Sequence, residues 1–362
     1  MSFEHSSATW SEILAQPEIW RGWAEPLARE AAATRDWIAA AGIREIWLCG
    51  AGSSAFIGDV LAAGIATGPG GARIRAVATT DAVACPADYV GSGEGLLVVQ
   101  FGRSGDSSES IGMLDLLDAA MPRAHRLHVT CNPTGALACR AAPDPGRLRV
   151  LRLPEATHDT GFAMTSSFTT MLLSALACLD PGFDAAAELP ELADQAGTLL
   201  AALAAEPEAR CPERAVFLGA GPLKGLAREA ALKVLELTAG ACPTQWDSPL
   251  GYRHGPKAAI APGTLVAVMI HPDPYTARYD LDVAAELRSQ YPGIAVVTLG
   301  PDGCDLEVAA GDPRAAAVLH VLAAQVWAVR WSAELGLEVD NPFSAGTLSR
   351  VVSGVTLYPW AA

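Results

Sequence analysis

Two stretches of this chain are near copies: Val216-Phe217-Leu218-Gly219-Ala220-Gly221 echoes Trp47-Leu48-Cys49-Gly50-Ala51-Gly52 at a shift of 169 residues. Thr264-Leu265-Val266-Ala267-Val268 echoes the run from Leu96 to Gln100 at 168, and Val296-Val297-Thr298 echoes His128-Val129-Thr130 at 168 again. Three apolar runs at a nearly constant offset mean a duplicated domain, because solenoids repeat every ~20–50 residues. Within each copy, short apolar runs alternate with helical patterns, and glycine-rich turns follow the runs. That order predicts an α/β fold of two tandem domains, each a doubly wound, mostly parallel sheet flanked by helices. In the first copy, strands are expected near 43–49, 74–79, 96–101, 127–130 and 148–153, with helices after Ser53, after Ser110 and over 168–179. Residues 1–40 place Trp10, Ile13, Trp20, Leu27 and Trp37 at helical spacing and read as one or two helices. The stretch 181–212, rich in Ala, Glu and Pro, is the expected join. The domains are therefore expected at 1–205, a helical arm plus the first sheet, and 206–362.

Composition narrows the function. A net charge of −15 argues against a nucleic-acid surface, so any anionic ligand has to be held locally by backbone dipoles and a few cations. Only three lysines occur, Lys224, Lys233 and Lys257, which makes a lysine inside a motif informative. Eight cysteines lie scattered, mostly beside apolar residues and without a C-x-x-C pair, as expected of buried thiols rather than a disulfide framework or zinc site. MSFEHSSATW lacks the basic and apolar regions of a leader, and no apolar run reaches membrane-spanning length. A cytoplasmic protein without membrane association is the expectation.

The first copy carries the pattern of an anion site. Leu96-Leu97-Val98-Val99 ends in a turn holding Gly102, Ser104, Gly105, Ser107, Ser108 and Ser110, and a helix follows with Ile111, Leu114 and Leu117. Glycines let the backbone close in, first-turn N–H groups point outward, and hydroxyls fill the remaining positions around a phosphate. An ordinary capped helix is the alternative, with Asp106 and Glu109 in the form of a capping box. Gly50-x-Gly52-x-x-Ala55 also fits a loose dinucleotide fingerprint, with Asp81 as the acid. Ser53, Ser54 and the second serine-rich turn suit a terminal phosphate better than a buried pyrophosphate. In the second copy Gly221-Pro222-Leu223 and His271-Pro272-Asp273-Pro274 have lost those hydroxyls.

The second copy offers acid–base groups instead. Over 223–238, Glu229, Lys233 and Glu236 lie at i, i+4 and i+7 and share one helical face. This is either a salt-bridged outer surface or, since the rest of the helix is apolar, a carboxylate held near a lysine as a general base. The stretch 244–257, TQWDSPLGYRHGPK, reads as a loop, and His254 between Arg253 and Gly255-Pro256 does not suit a core. No further His or Cys stands at metal-ligand spacing, so no metal is expected.

These motifs, in this order, resemble the sugar isomerase (SIS) superfamily of paired SIS domains, which includes the isomerase half of glucosamine-6-phosphate synthase. Gly52-Ser53-Ser54 resembles its first phosphate loop, and Arg103-Ser104-Gly105-Asp106-Ser107 its S-x-S-G-[ED]-[ST] turn, with Gly102 where the first serine normally lies. The segment 160–169, the E-x-A-L-K-x-x-E helix at 229–236 and His254-Gly255-Pro256 match further motifs. Phe101-Gly102-Arg103-Ser104-Gly105, the segment 158–165, Asp340-Asn341-Pro342 and Arg350-Val351-Val352 are most similar to the AgaS branch of ketose/aldose isomerases and galactosamine-6-phosphate deaminases. The resemblance implies that Gly52, Ser53, Ser54, Gly102, Arg103, Ser104 and Ser107 hold a sugar 6-phosphate, with Ala163, Met164 and Arg350 lining the sugar. It implies that Glu236 moves a proton between C1 and C2, Lys233 positions Glu236, and His254 assists ring opening, reaching a neighbouring subunit's site in a homodimer with shared active sites. No glutaminase half with an N-terminal cysteine nucleophile matches, so ammonia would be released. An enediol or enolamine forms with a positioned base alone, so no cofactor is implied. The expected activity is galactosamine 6-phosphate to tagatose 6-phosphate plus ammonia. The alternatives are plain aldose–ketose isomerisation, deglycation, or a non-catalytic phosphosugar sensor.

Overall fold

The structure is a computed structural model and describes residues 7–206, 210–308 and 311–360. The start of the stretch read for a leader, residues 1–6, lies outside the described residues. In chain order the first half runs α1 (Ala8–Ala40), β1 (Glu45–Cys49), α2 (Ser53–Gly64), β2 (Arg73–Ala76), α3 (Thr79–Ala84), β3 (Leu96–Gly102), α4 (Ser108–Ala120), β4 (His125–Thr130), α5 (Ala136–Cys139), β5 (Leu148–Arg152), α6 (Ser166–Leu179) and α7 (Ala185–Ala205). The second runs β6 (Arg214–Gly219), α8 (Pro222–Leu237), β7 (Thr244–Asp247), α9 (Pro249–Tyr252), β8 (Thr264–Met269), α10 (Pro274–Gln290), β9 (Ala295–Gly300), β10 (Leu306–Glu307) and α11 (Pro313–Glu334).

Both sheets are five-stranded and parallel throughout, ordered β2-β1-β3-β4-β5 and β10-β9-β8-β6-β7. Read from its other edge, the second order is β7-β6-β8-β9-β10, strand for strand the topology of the first. The tandem α/β expectation holds, and the duplication is complete rather than limited to three strands. Register refines it: Gln100 pairs with His128 while Val268 pairs with Thr298, so the shift of 168 at Gln100 becomes 170 one strand on, not 168. The 244–257 stretch is also less irregular than expected. Its first four residues form β7, the edge strand beside β6, and the next form the short α9.

Cα proximity divides the chain into two compact units, one of Ile19–His158, Ser166–Leu189 and Ser349–Ala362, the other of Met1–Glu18, Asp159–Thr165 and Pro190–Leu348. In the first, all seven residues of β3 are buried, as a parallel strand covered on both faces requires. Trp47, Val98, Met113, Leu117 and Met121 form one side of its core. In the second, Val216, Val266, Val268, Val283 and Leu287 do the same. Residues 8–40 form one helix rather than two, and its N-terminus is capped from far along the chain: Asp340 accepts from the Ala8 and Thr9 amides at 2.8 Å each and from the Ser7 and Thr9 hydroxyls. No helix among the described residues is long and apolar enough to cross a membrane.

Asp280 on α10 is buried, and its Oδ2 accepts from the His271 amide at 2.9 Å while Oδ1 has no partner among the described residues. Burial pushes its carboxyl up to about 6. Because this folded value lies above the unfolded one, ionised Asp280 costs stability at neutral and higher pH, and the cost fades as pH falls below about 6. Asp280→Asn is therefore expected to gain ~1–3 kcal/mol at pH 8 and to lose that advantage near pH 4, read by thermal unfolding of both proteins across that range.

Candidate active site

In each copy the first strand hands over to its helix through a glycine that nothing larger could replace. A Cβ on Gly50 would lie 2.4 Å from the backbone of Ser54, and one on Gly219 would lie 2.4 Å from the Leu223 carbonyl. The next turn glycine takes a left-handed φ of 56° in both copies, with ψ of −131° at Gly52 and −127° at Gly221. This tight crossing places Ser53 and Ser54, both buried, in the first turn of α2, where helix N–H groups and the dipole favour an anion. The turn lies at the β1/β3 topological switch point, beside the serine-rich turn that follows β3.

That second turn is braced from behind. Asp106 Oδ1 accepts from the Ala136 amide at 2.7 Å, and Asn132 Nδ2 donates to the Ser104 carbonyl at 2.9 Å and to Asp106 Oδ2 at 3.3 Å. Asp106 is thus a loop clamp and not the helix cap expected from the sequence. The cap is Ser107, whose Oγ accepts from the Ser110 amide at 3.2 Å. Gly102 also has a packing reason to lack a side chain: a Cβ there would meet Leu137 Cδ1 at 2.7 Å and Gly105 Cα at 3.1 Å. Arg103 is buried, and its Nη2 donates to the Arg350 carbonyl at 3.1 Å, so these two sequence-predicted residues meet. The Ser108 amide, at the start of α4, donates to the Val352 carbonyl at 3.1 Å. Gly52, Ser53, Ser54, Gly102, Arg103, Ser104, Ser107 and Arg350 all fall in the same unit.

The second copy keeps the turn and fills its own anion position. Asp273 caps α10, its Oδ1 accepting from the Tyr275 amide at 3.1 Å and the Thr276 amide at 2.9 Å. These bonds, the Thr276 amide foremost, hold the Asp273 carboxyl below its ordinary range. Pro222 removes an N–H at the start of α8. A carboxylate already at the α10 N-terminus disfavours phosphate there.

The α8 helix carries the acid–base candidates in the other unit. Lys233 is buried and its Nζ donates to Glu236 Oε2 at 2.7 Å, while Glu229 Oε1 lies 3.4 Å away on the other side. Glu229 is wholly buried, whereas the Glu236 side chain is 21% exposed. One Glu236 oxygen is thereby fixed and the group stays reachable. Ala163, buried, and Met164, half-buried, sit on a segment of this same unit that is pinned twice. Asp159 accepts from the Thr165 amide at 2.8 Å and its hydroxyl at 2.9 Å, and Glu12 of α1 accepts from the Thr160 amide and hydroxyl and the Gly161 amide. Burial, then the Asp159 charge, pushes the Glu12 carboxyl up.

His254 is exposed on the turn after α9, and no hydrogen bond links it to Glu236. Its neighbours are gripped. Arg253 Nε donates to Glu286 at 2.7 Å, and Lys257 Nζ donates to the same carboxylate. The bonded Lys257 ammonium, ahead of Arg253, holds Glu286 below the usual carboxylate range. Sequence reasoning missed the supporting residues Asn132, Glu12 and Glu286, and the bracing role of Asp106. Their partners lie up to 148 positions away, and no local spacing signals them.

No family model matches the chain. Curated relatives do. An Escherichia coli D-galactosamine-6-phosphate deaminase AgaS is 41% identical over 88% of this chain and 86% of its own length. The protein of the same name from Shewanella sp. (strain ANA-3) is 40% identical over 97% and 92%. Among solved structures, the tagatose-6-phosphate ketose/aldose isomerase from Escherichia coli superposes with a TM-score of 0.87 at 34% identity, covering 100% of this chain and 99% of that one.

The buried Lys233 is the weak point of the α8 cluster, because removing it takes from the buried Glu229 the cation that lies 3.4 Å from its carboxylate. Lys233→Met is expected to cost ~3–5 kcal/mol, measured as a lowered urea midpoint at pH 7.5.

Proposed function

This chain belongs to the AgaS family of SIS proteins, and from that membership we propose that it is a sugar-phosphate deaminase/isomerase converting galactosamine 6-phosphate to tagatose 6-phosphate and ammonia. The arrangement that supports this reading best is the Lys233–Glu236 bond at 2.7 Å on a helix otherwise packed into the core. It holds one carboxylate oxygen and leaves the other for a substrate C–H.

The phosphate is taken by the hydroxyls of Ser54, Ser104 and Ser107 with the backbone near Gly52, Ser53, Gly102 and Arg103, and Arg350 stands near the sugar. Ala163 and Met164 line the sugar. With the ring open, Glu236 removes the C2 proton and returns it to C1, so the enolamine becomes the 2-imine. Water then adds at C2, the C2–N bond breaks, and ammonia leaves with the ketose. The same transfer on a neutral sugar is aldose–ketose isomerisation, which accounts for both names among the relatives. Lys233 steadies the carboxylate as charge moves onto the enolamine oxygen and nitrogen. His254 assists ring opening from an exposed turn, which suits service to a second subunit of a cytoplasmic homodimer. None of these steps calls for nucleic acid, a metal or a redox cofactor.

Ammonia release and ketose formation across a panel of 2-amino and neutral hexose 6-phosphates test the reading. Turnover of an amino sugar phosphate with stoichiometric ammonia is expected, and binding without turnover on every member would instead mark a sensor. Glu236→Gln is expected to lower kcat by ~10²–10⁴-fold while leaving phosphate-dependent binding nearly intact. In Ser104→Ala the loss should fall mainly on KM, by about five- to tenfold for one hydroxyl–phosphate contact. An unchanged KM would take that hydroxyl out of the phosphate site.

A further inference from the structure

The sheet of the first unit has a second cleft, at the end opposite its serine turns, where β1, β2 and β3 begin. Arg73 and Arg75 stand two residues apart on β2 and pair in register with Glu45 and Trp47 of β1, so all four side chains fall on one face. With Arg44 and Tyr89 they line a cleft of about 430 Å³, and Met121, just past α4, forms another part of its wall. That volume falls within the ~300–1,000 Å³ of small-molecule sites.

Its polar groups are set in place by the strands and the glycine loop 91–95. Glu45 Oε1 accepts from Trp47 Nε1 at 2.7 Å and from Arg75 Nη1 at 3.0 Å, while Oε2 has no hydrogen bond among the described residues. Arg44 is laid over the loop: its Nη2 donates to the Glu94 carbonyl at 3.0 Å, and a Cβ on Gly95 would lie 2.8 Å from its Cζ. Arg73 is exposed, and no side-chain hydrogen bond or ion pair engages it among the described residues. Glu94, the other acid of the lining, faces Arg123 at 3.3 Å. Four guanidinium groups thus stand around two carboxylates, a local positive excess in a chain whose net charge is −15. Tyr89 meets Trp47 edge to face, with ring centroids 6.0 Å apart, and its hydroxyl makes no hydrogen bond among the described residues.

We propose that this cleft is a binding site for a nucleoside monophosphate, separate from the site of the sugar chemistry. The phosphate pairs with Arg73 and with the N–H groups that Arg44 and Arg75 have left over. The open Glu45 oxygen accepts from the ribose hydroxyls, and the base lies against the Tyr89 ring. Guanidinium groups match phosphate oxygens in a fork and also stack on flat rings, which suits both ends of such a ligand. A bare phosphate or a ribose phosphate would use the cations and leave the aromatic wall unfilled. The proposal is independent of the deaminase reading and does not fall with it.

Calorimetric titration of the full chain with AMP and with ribose 5-phosphate, at low salt, tests this. AMP is expected to bind about tenfold more tightly than ribose 5-phosphate, the gain from stacking one base on an aromatic ring. Arg73→Ala, at an exposed position, should weaken AMP binding about tenfold without moving the thermal midpoint. Tyr89→Leu should bring AMP down to the affinity of ribose 5-phosphate. With AMP bound, amide hydrogen exchange should slow across residues 89–96 and stay unchanged across 102–108. No binding of AMP, equal binding of the two probes, unaltered affinity in Arg73→Ala, or slowed exchange at 102–108 in place of 89–96 would each overturn the proposal.

Discussion

The tight handover from strand to helix at Gly50 and Gly219 is the constraint on which both copies depend. A side chain at either position would have to occupy backbone already there, 2.4 Å away, so the helix after the first strand of each sheet could not start where it does. Because it does start there, α2 presents Ser53 and Ser54 at the switch point of its sheet, and α8 descends from its own switch point with Glu229, Lys233 and Glu236 along one face. The left-handed glycine that follows, within a few degrees the same in the two copies, shows how little this turn has changed while its chemistry has diverged.

Divergence took a simple physical form. One copy caps the helix amides after its third strand with the neutral hydroxyl of Ser107, which adds no negative charge to repel an incoming anion. The other placed Asp273 at the equivalent position and satisfied those amides internally. A helix N-terminus serves one anion at a time, so a single carboxylate separates a phosphate-type turn from a structural one.

Acidic side chains do much of the loop-holding in this molecule. Asp106 braces the serine turn, Glu12 and Asp159 pin the segment carrying Ala163 and Met164, Glu286 grips both sides of His254, and Asp340 caps α1. Of these, only Glu286 is held mainly by cations. In the others, backbone amides, hydroxyls and the Asn132 side-chain amide are the donors. That distribution lets a chain with 40 acidic and 25 basic residues place carboxylates against its loops without pairing each to a base.

The sequence by itself determined the tandem parallel architecture, because strand, turn and helix patterns are local and a duplicated order leaves little topological freedom. It also marked both serine turns and the Glu229–Lys233–Glu236 face, since i, i+3 and i, i+4 spacing is a property of the helix alone. Tertiary structure decided what spacing does not encode: that Lys233 and Glu229 are buried while Glu236 stays reachable, and that Asp106 clamps α5 instead of capping α4. It also showed that a Cβ at Gly102 would press on Leu137 Cδ1 and Gly105 Cα. Each of these depends on which distant segment packs against a residue, and burial and partnership come into being only when the sheets close.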